Sequence, residues 1–287
     1  MSELLKSVLV YQGNKYKLLP QLKLLFPENH KEMVCYDLFG GSGTFSINVI
    51  DDFSSVVYGE VDLMICSIIC RLQLSSSESI IKKVDKIILD YNLSRTNKES
   101  FLAFREKVNN DYKELRLDPI ELLVLSRYSF NGMIRFSKRK DEYNTSFGER
   151  QWVGEERNDV ITKFIDALKR IRIEPYPYTS NLDIIDPNGF YYIDPPYLIT
   201  KAVYNKFWSI ENEELLYKKL DEINAAGGKF LLSNVLTHQG KTNKILKNWM
   251  KKYKTEFLDL GKTGYILGRS SENRDPKLTQ EIIVKNY

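Results

Sequence analysis

Short, nearly continuous apolar runs alternate along this chain with stretches in which apolar residues recur every third or fourth position. The first kind predicts strands buried on both faces, the second amphipathic helices. Runs at Met33 to Phe39, Ser55 to Gly59, Tyr191 to Ile193, Lys229 to Asn234 and Glu281 to Val284 are the expected strands. Helical spacing covers Leu18 to Phe26, Thr44 to Ile50, Leu63 to Leu72, Glu211 to Ile223 and Lys241 to Tyr253, and Gly227-Gly228 closes the fourth of these. Alternation at both ends of the chain predicts an α/β fold with one mostly parallel sheet. In the middle the rhythm lapses. Charged helical stretches (Ile80 to Tyr91, Lys98 to Tyr112, from Pro119, and Val160 to Ile171) follow one another up to a Pro175-Tyr176-Pro177-Tyr178 linker. Residues 72–175 therefore read as an inserted, mostly helical lobe between two parts of one domain, 1–71 and 176–287.

Composition narrows the classes. A hydrophobic share of 43% over 287 residues is that of an ordinary globular protein. The net charge of +4 permits a polyanionic partner without demanding one. Cys35, Cys66 and Cys70 are too few for a disulfide framework, and Cys66 and Cys70 sit in an apolar helical run as buried thiols. His30 and His238 are the only histidines, so neither a structural zinc nor histidine catalysis is expected, and no metal. No apolar run approaches ~20 residues and no basic, then apolar, leader opens the chain, which predicts a cytoplasmic protein.

Four stretches carry candidate chemistry. The strand at Tyr191 ends in Asp194-Pro195-Pro196-Tyr197. Prolines cannot donate ladder bonds, so the strand stops there and leaves a rigid segment with a carboxylate before it and a ring after it. Such a segment can grip a flat amine, or it can be a proline turn with Tyr197 as packing. The strand at Met33 runs into Gly40-Gly41-Ser42-Gly43, and Glu60 follows about 20 positions later, as an adenosine-binding unit requires and as a plain α/β turn also allows. Lys15, after the Gly13-Asn14 turn, is either a solvated cation or a partner for a ligand carboxylate. Arg127, Tyr128, Phe130, Met133, Arg135, Phe136, Lys138, Arg139 and Lys140 surround Asn131-Gly132 in a hairpin closed by Tyr143 to Gly148. Cations interleaved with rings suit a nucleic-acid surface, and equally a solvated basic hairpin.

An adenosine-binding turn and an amine grip in one sheet point to group transfer onto nitrogen. The glycine turn of Gly40 to Gly43 has no lysine in the phosphate-cradling Gly-Lys-Ser/Thr position. Methyl transfer from S-adenosylmethionine needs neither that lysine nor a histidine or cysteine nucleophile, because the sulfonium is already a good leaving group and the protein supplies orientation.

The chain resembles the Dam-type (alpha-group) DNA adenine N6-methyltransferases. The matching pieces are Tyr11-Gln12-Gly13-Asn14-Lys15, Asp37 to Gly43, Arg127 to Arg135, Asp194-Pro195-Pro196-Tyr197 and the closing Glu281 to Tyr287, in the family's order and spanning nearly the whole chain. The resemblance implies a Rossmann-like, S-adenosylmethionine-dependent sheet with an inserted target-recognition lobe carrying the β-hairpin. It implies that Tyr11, Lys15, Phe39, Gly40, Gly41, Glu60 and Asn181 (or Asp183) bind the cofactor, which leaves as S-adenosylhomocysteine. Asp194 would hold the cofactor amino group (as a further cofactor-binding residue) or the target N6, the Pro195 carbonyl would accept the other amine proton, and Tyr197 would stack on an adenine flipped out of double-stranded DNA. Arg127, Asn131, Met133, Arg135, Lys138 and Arg139 would face DNA. Two departures stand out: Glu60 replaces the family's usual Asp, and Thr145-Ser146-Phe147 replaces the hairpin proline of GATC-methylating members. GATC is therefore not assumed as the target. The Tyr204 to Trp208 loop resembles restriction-modification or phage relatives, which implies a cognate restriction endonuclease as a partner. Competing readings are a methyltransferase on RNA adenine or protein glutamine, a dinucleotide-dependent oxidoreductase, and an inert DNA-binding relative.

Overall fold

A computed structural model of the chain describes residues 3–11, 13–137, 139–174, 185–200, 208–257 and 279–287. The elements in order begin with α1 (Leu19–Lys23), β1 (Val34–Asp37), α2 (Thr44–Asn48), β2 (Ser55–Gly59) and α3 (Leu63–Gln73). Then come α4 (Ser77–Asp90), α5 (Lys98–Lys113), α6 (Pro119–Arg127), β3 (Phe136–Ser137), β4 (Glu142–Tyr143), α7 (Glu155–Leu168) and β5 (Arg172–Glu174). The remainder is β6 (Phe190–Ile193), α8 (Ile210–Ala226), β7 (Lys229–His238), β8 (Lys241–Thr242), α9 (Lys244–Trp249), β9 (Lys254–Phe257) and β10 (Thr279–Lys285). Contacts divide these into two compact units: Met1–Tyr16, Gly41–Ile50 and Asp62–Pro175 form one, and Lys17–Gly40, Asp51–Val61 and Tyr176–Tyr287 the other.

The second unit is built on a sheet in the order β2-β1-β6-β7-β10-β9, with β8 paired to β7. Pairs β2/β1, β1/β6 and β6/β7 are parallel, while β10 runs antiparallel to both β7 and β9. The mostly parallel α/β fold expected from the sequence is therefore present. Strand β6 is buried at every position, as a central strand covered on both faces must be. Its Tyr191 and Ile193 pack with Leu216 and Leu220 of α8, Phe230 and Leu232 of β7 and Val284 of β10. From β1 the chain steps to β2 on one side and later returns to β6 on the other. The carboxyl ends of β1 and β6 thus flank the switch point where open α/β sheets bind ligands.

The first unit is helical, with α6 at its centre against α3, α4 and α5. Ile120 and Leu122 to Ser126 are all buried, which explains why α6 lacks a polar face. Caps set the starts: Ser76, Asn97 and Asp118 accept backbone N–H groups at the heads of α4, α5 and α6.

Three details differ from the sequence expectation. Helix α1 stops at Lys23 rather than Phe26, because Pro27 disfavours helical backbone at the residue before it. The helix expected to reach Tyr253 ends at Trp249 in a 3₁₀ turn, after which Lys254 to Phe257 pair with β10. Strands β5 and β8 are too short to announce themselves by alternation.

Candidate active site

Three strand ends meet along the carboxyl edge of the sheet unit. Strand β1 closes on Asp37, buried at 1% exposure, and continues through Leu38, whose N–H donates to the Tyr192 carbonyl of β6 at 3.2 Å. Phe39 follows, its ring edge-on to Trp208 at 5.7 Å between centroids. Gly40 N–H donates to the Gly59 carbonyl at 2.8 Å, which ties the glycine turn to the end of β2. A β-carbon on Gly40 would overlap the buried Tyr58 ring, so glycine is required by close approach. Glu60, directly after β2, is 6% exposed. A buried carboxylate at this place is a costly choice unless it accepts hydrogen bonds, which suits a vicinal diol.

Strand β6 delivers Asp194 and a buried Pro195 to the same edge, next to β1. Tyr197 Oη donates towards Asp194 Oδ1 at 2.8 Å and towards Glu281 Oε1, also at 2.8 Å. Ser233 Oγ of β7 donates to the same Glu281 oxygen at 2.9 Å. Register explains the meeting. Ser233 pairs with Ile283 and Glu281 with Val235, so Ser233 and Glu281 project from one face of the β7/β10 pair as diagonal neighbours. Behind Phe39, Trp208 Nε1 donates to Glu213, a fully buried carboxylate of α8 that also accepts from Tyr217 Oη and from the amides of Asn234 and Asn243. Burial, and then the Glu213 charge, push the Tyr217 phenol well above its usual range.

The helical unit holds the other predicted residues. The Tyr11 ring lies against Gly41, where φ is +51° and a β-carbon would come within 3.0 Å of the ring. Lys15 is 4% exposed, and its Nζ donates to the Gly13 carbonyl at 3.2 Å. It is not a solvated lysine. Asn131 and Gly132 both adopt positive φ in a tight turn ahead of the hairpin, and Val10 sits where a Gly132 side chain would go. Asn131 is exposed, and the Met133 carbonyl accepts from Tyr143 Oη at 2.7 Å and Thr145 Oγ1 at 3.0 Å. Arg135 Nε donates to Asn144 Oδ1 at 2.7 Å, and Arg139 is exposed. Arg127 points inward instead, 4.9 Å over the Trp152 ring, and donates to the Val8 carbonyl at 3.3 Å. Burial, helped by Arg150, lowers its pKa to about 10. Lys138, Asn181 and Asp183 lie outside the described residues, as do 201–207 of the aromatic loop.

The sequence profile of the D12 class N6 adenine-specific DNA methyltransferases matches residues 11–262. The chain belongs to that family. It is 34% identical to the type II methyltransferase M.FokI of Planomicrobium okeanokoites over 99% of this chain and 43% of that protein. Modification methylase LlaI of Lactococcus lactis subsp. lactis is 32% identical over 98% and 43%. The DNA adenine methylase of Escherichia coli (strain K12) is 23% identical over 70% and 68%. The chain thus spans less than half the length of M.FokI and LlaI.

For this D12-class chain, the sheet unit brings Phe39, Gly40, Glu60, Asp194, Pro195 and Tyr197 to one edge, and the helical unit carries Tyr11, Lys15, Gly41 and the hairpin residues. Sequence reasoning did not anticipate that Ser233 and Glu281 meet the Tyr197 hydroxyl. The available signal was an acid opening an Ile-Ile-Val strand, at the spacing that shares a face with Ile283. Among the described residues no His/Cys/Asp/Glu cluster could hold a metal ion, and no helix is long and apolar enough to cross a membrane.

Proposed function

We propose that this chain is a site-specific DNA adenine methyltransferase, moving a methyl group from S-adenosylmethionine to N6 of an adenine flipped out of duplex DNA, in a restriction-modification or phage setting. The observation that carries it is Asp194-Pro195-Pro196-Tyr197 at the carboxyl edge of β6, beside the glycine turn of β1 and the buried Glu60 after β2. These residues fit an adenosyl group: Gly40 keeps the turn flat against the β2 end, and Glu60 offers a carboxylate for ribose hydroxyls.

The division of labour follows from donor and acceptor chemistry. Glu60 would take the ribose hydroxyls, and Phe39 and Gly40 of the sheet unit, Tyr11, Lys15 and Gly41 of the helical unit, and Asn181 are the candidate cofactor contacts, Lys15 for the carboxylate. Once bound, S-adenosylmethionine would supply an electrophilic methyl on its sulfonium, with S-adenosylhomocysteine as the product. Asp194 and the Pro195 carbonyl accept the two amine N–H bonds, which turns nitrogen electron density towards the methyl. Tyr197 stacks on the base. No step calls for a metal, because a sulfonium departs without a Lewis acid. Asn131, Met133, Arg135 and Arg139 would contact DNA from the hairpin and the turn ahead of it, with Arg127 directed inward, and Lys138 is a further candidate DNA contact. Residues 72–175 form the target-recognition lobe and 1–71 with 176–287 the catalytic domain. A cytoplasmic setting and a cognate endonuclease complete the proposal.

Asp194→Ala is expected to abolish tritiated-methyl incorporation into unmethylated duplex DNA while DNA binding in a gel shift stays within about threefold of wild type. Turnover retained in D194A sinks the catalytic assignment. Incorporation into RNA or protein in place of DNA would favour another acceptor.

A further inference from the structure

The Tyr197 hydroxyl carries one proton and faces two carboxylates, Asp194 Oδ1 and Glu281 Oε1, each 2.8 Å away. One phenol proton makes one full hydrogen bond at a time. Ser233 Oγ donates to Glu281 Oε1 at 2.9 Å and lies 3.3 Å from Tyr197 Oη, so Glu281 is held in place as an acceptor. Glu281 is 1% exposed, in a strand whose next residues are Ile282, Ile283 and Val284, all fully buried. A carboxylate in such surroundings carries a desolvation cost that an apolar residue would avoid. What the position gains is a second acceptor for the Tyr197 proton, opposite the carboxylate that faces the amine.

We propose that Glu281 is a positioning residue of the transfer reaction: it draws the Tyr197 proton to itself, so that Asp194 Oδ1 accepts an adenine N–H instead, and it fixes the Tyr197 ring for stacking. Only a hydrogen bond changes partner. Tyr197 keeps its proton, and no group other than the methyl is transferred. This role rests on the methyltransferase reading above. It ties the closing strand β10 to chemistry at the end of β6, through β7.

The test uses Glu281→Gln, Tyr197→Phe, the double variant, and Ser233→Ala on the full chain. Two readouts are needed. The first is the Tyr197 resonance in protein labelled with 13C at tyrosine Cζ, assigned by its loss in Y197F. The Tyr197 hydroxyl is bonded to the Glu281 carboxylate at 2.8 Å, so E281Q changes the surroundings of this carbon and moves the resonance. The second is kinetics. E281Q is expected to lower kcat about tenfold, with the DNA KM and cofactor affinity within about twofold of wild type. In a Y197F background the same substitution costs less than about twofold, because the hydroxyl through which Glu281 acts is gone. If E281Q melts well below wild type, S233A replaces it in the same cycle and is expected to lower kcat only when Tyr197 is present. An unmoved Tyr197 resonance, an unchanged kcat, or an equal loss in the Y197F background overturns the role. A wild-type chain that methylates no adenine overturns the methyltransferase reading and this role with it, whereas an active wild type with unimpaired E281Q overturns this role alone.

Discussion

Gly40 is where sequence, packing and site meet most tightly at the residue scale. Its N–H is bonded to the Gly59 carbonyl at 2.8 Å, and the space of its missing side chain is filled by Tyr58, which is fully buried. Gly40→Ala must displace a core ring or the turn itself. Overpacking of this kind costs ~1–3 kcal/mol. We expect G40A to melt several degrees below wild type and to bind S-adenosylmethionine at least about tenfold more weakly by calorimetry, since the turn that moves is the one lining the proposed pocket. Wild-type melting with wild-type affinity would show that the turn is dispensable. Gly40 was legible in the sequence because strand, glycines and helix follow in fixed order. Lys15 was not. Local sequence makes it one more lysine beside a turn, and only its burial at 4% exposure separates it from a solvated cation.

At the scale of elements, the hairpin is short on ladder bonds and long on side-chain ties. Strands β3 and β4 pair through only Phe136–Tyr143 and Ser137–Glu142. Asn109 of α5 supplies what a third strand would: its Oδ1 accepts from Tyr143 N–H at 2.6 Å and its Nδ2 donates to the Tyr143 carbonyl at 3.2 Å. Tyr143 Oη donates to the Met133 carbonyl and lies 2.6 Å from Ser129 Oγ, which joins the hairpin to the end of α6. Burial pushes this phenol up to about 12. A folded pKa raised above the unfolded value near 10 means that the native state retains the proton longer. The stabilisation is therefore complete below pH ~10 and is lost as pH climbs towards 12. Tyr143→Phe is expected to cost ~1–2 kcal/mol at pH 8 in urea unfolding, and the gap to wild type should narrow between pH 10 and 12. A gap that stays constant across that range contradicts the assignment. Such ties explain what patterning could and could not reveal. Helices α4 and α5 lie within a few residues of expectation because Ser76 and Asn97 cap them, whereas β9 exists through its pairing with β10, which no local periodicity reports.

Over the whole molecule, the two compact units carry two different kinds of residue. The sheet unit holds Asp194, Tyr197, Glu60 and Glu281, three of them acids, while the helical unit holds Asn131, Arg135 and Arg139. The units do not follow the bounds expected from the sequence, since Tyr11, Lys15 and Gly41 group with the helical unit. The Asp194–Tyr197–Glu281 meeting was hidden, because it depends on β10 reversing beside β7, a pairing between segments far apart in sequence. The division predicts that the proposed activity can fail in two separable ways. Arg135 is held by Asn144 at 2.7 Å, on a hairpin fixed to α5 and α6, so Arg135→Ala removes a cation without unfolding its support. If Arg135 meets a phosphate, R135A weakens binding to all duplexes alike, and the slope of log affinity against log salt falls by about one. If it reads a guanine edge, binding to the cognate site drops by ~1–3 kcal/mol and methylation spreads to variant sites in a sequenced methylome. Cofactor affinity by calorimetry stays at the wild-type value in both cases, the opposite of G40A. An R135A protein with unchanged salt slope, cognate affinity and methylome would show that the hairpin is structural, and target recognition would then have to lie elsewhere in the chain.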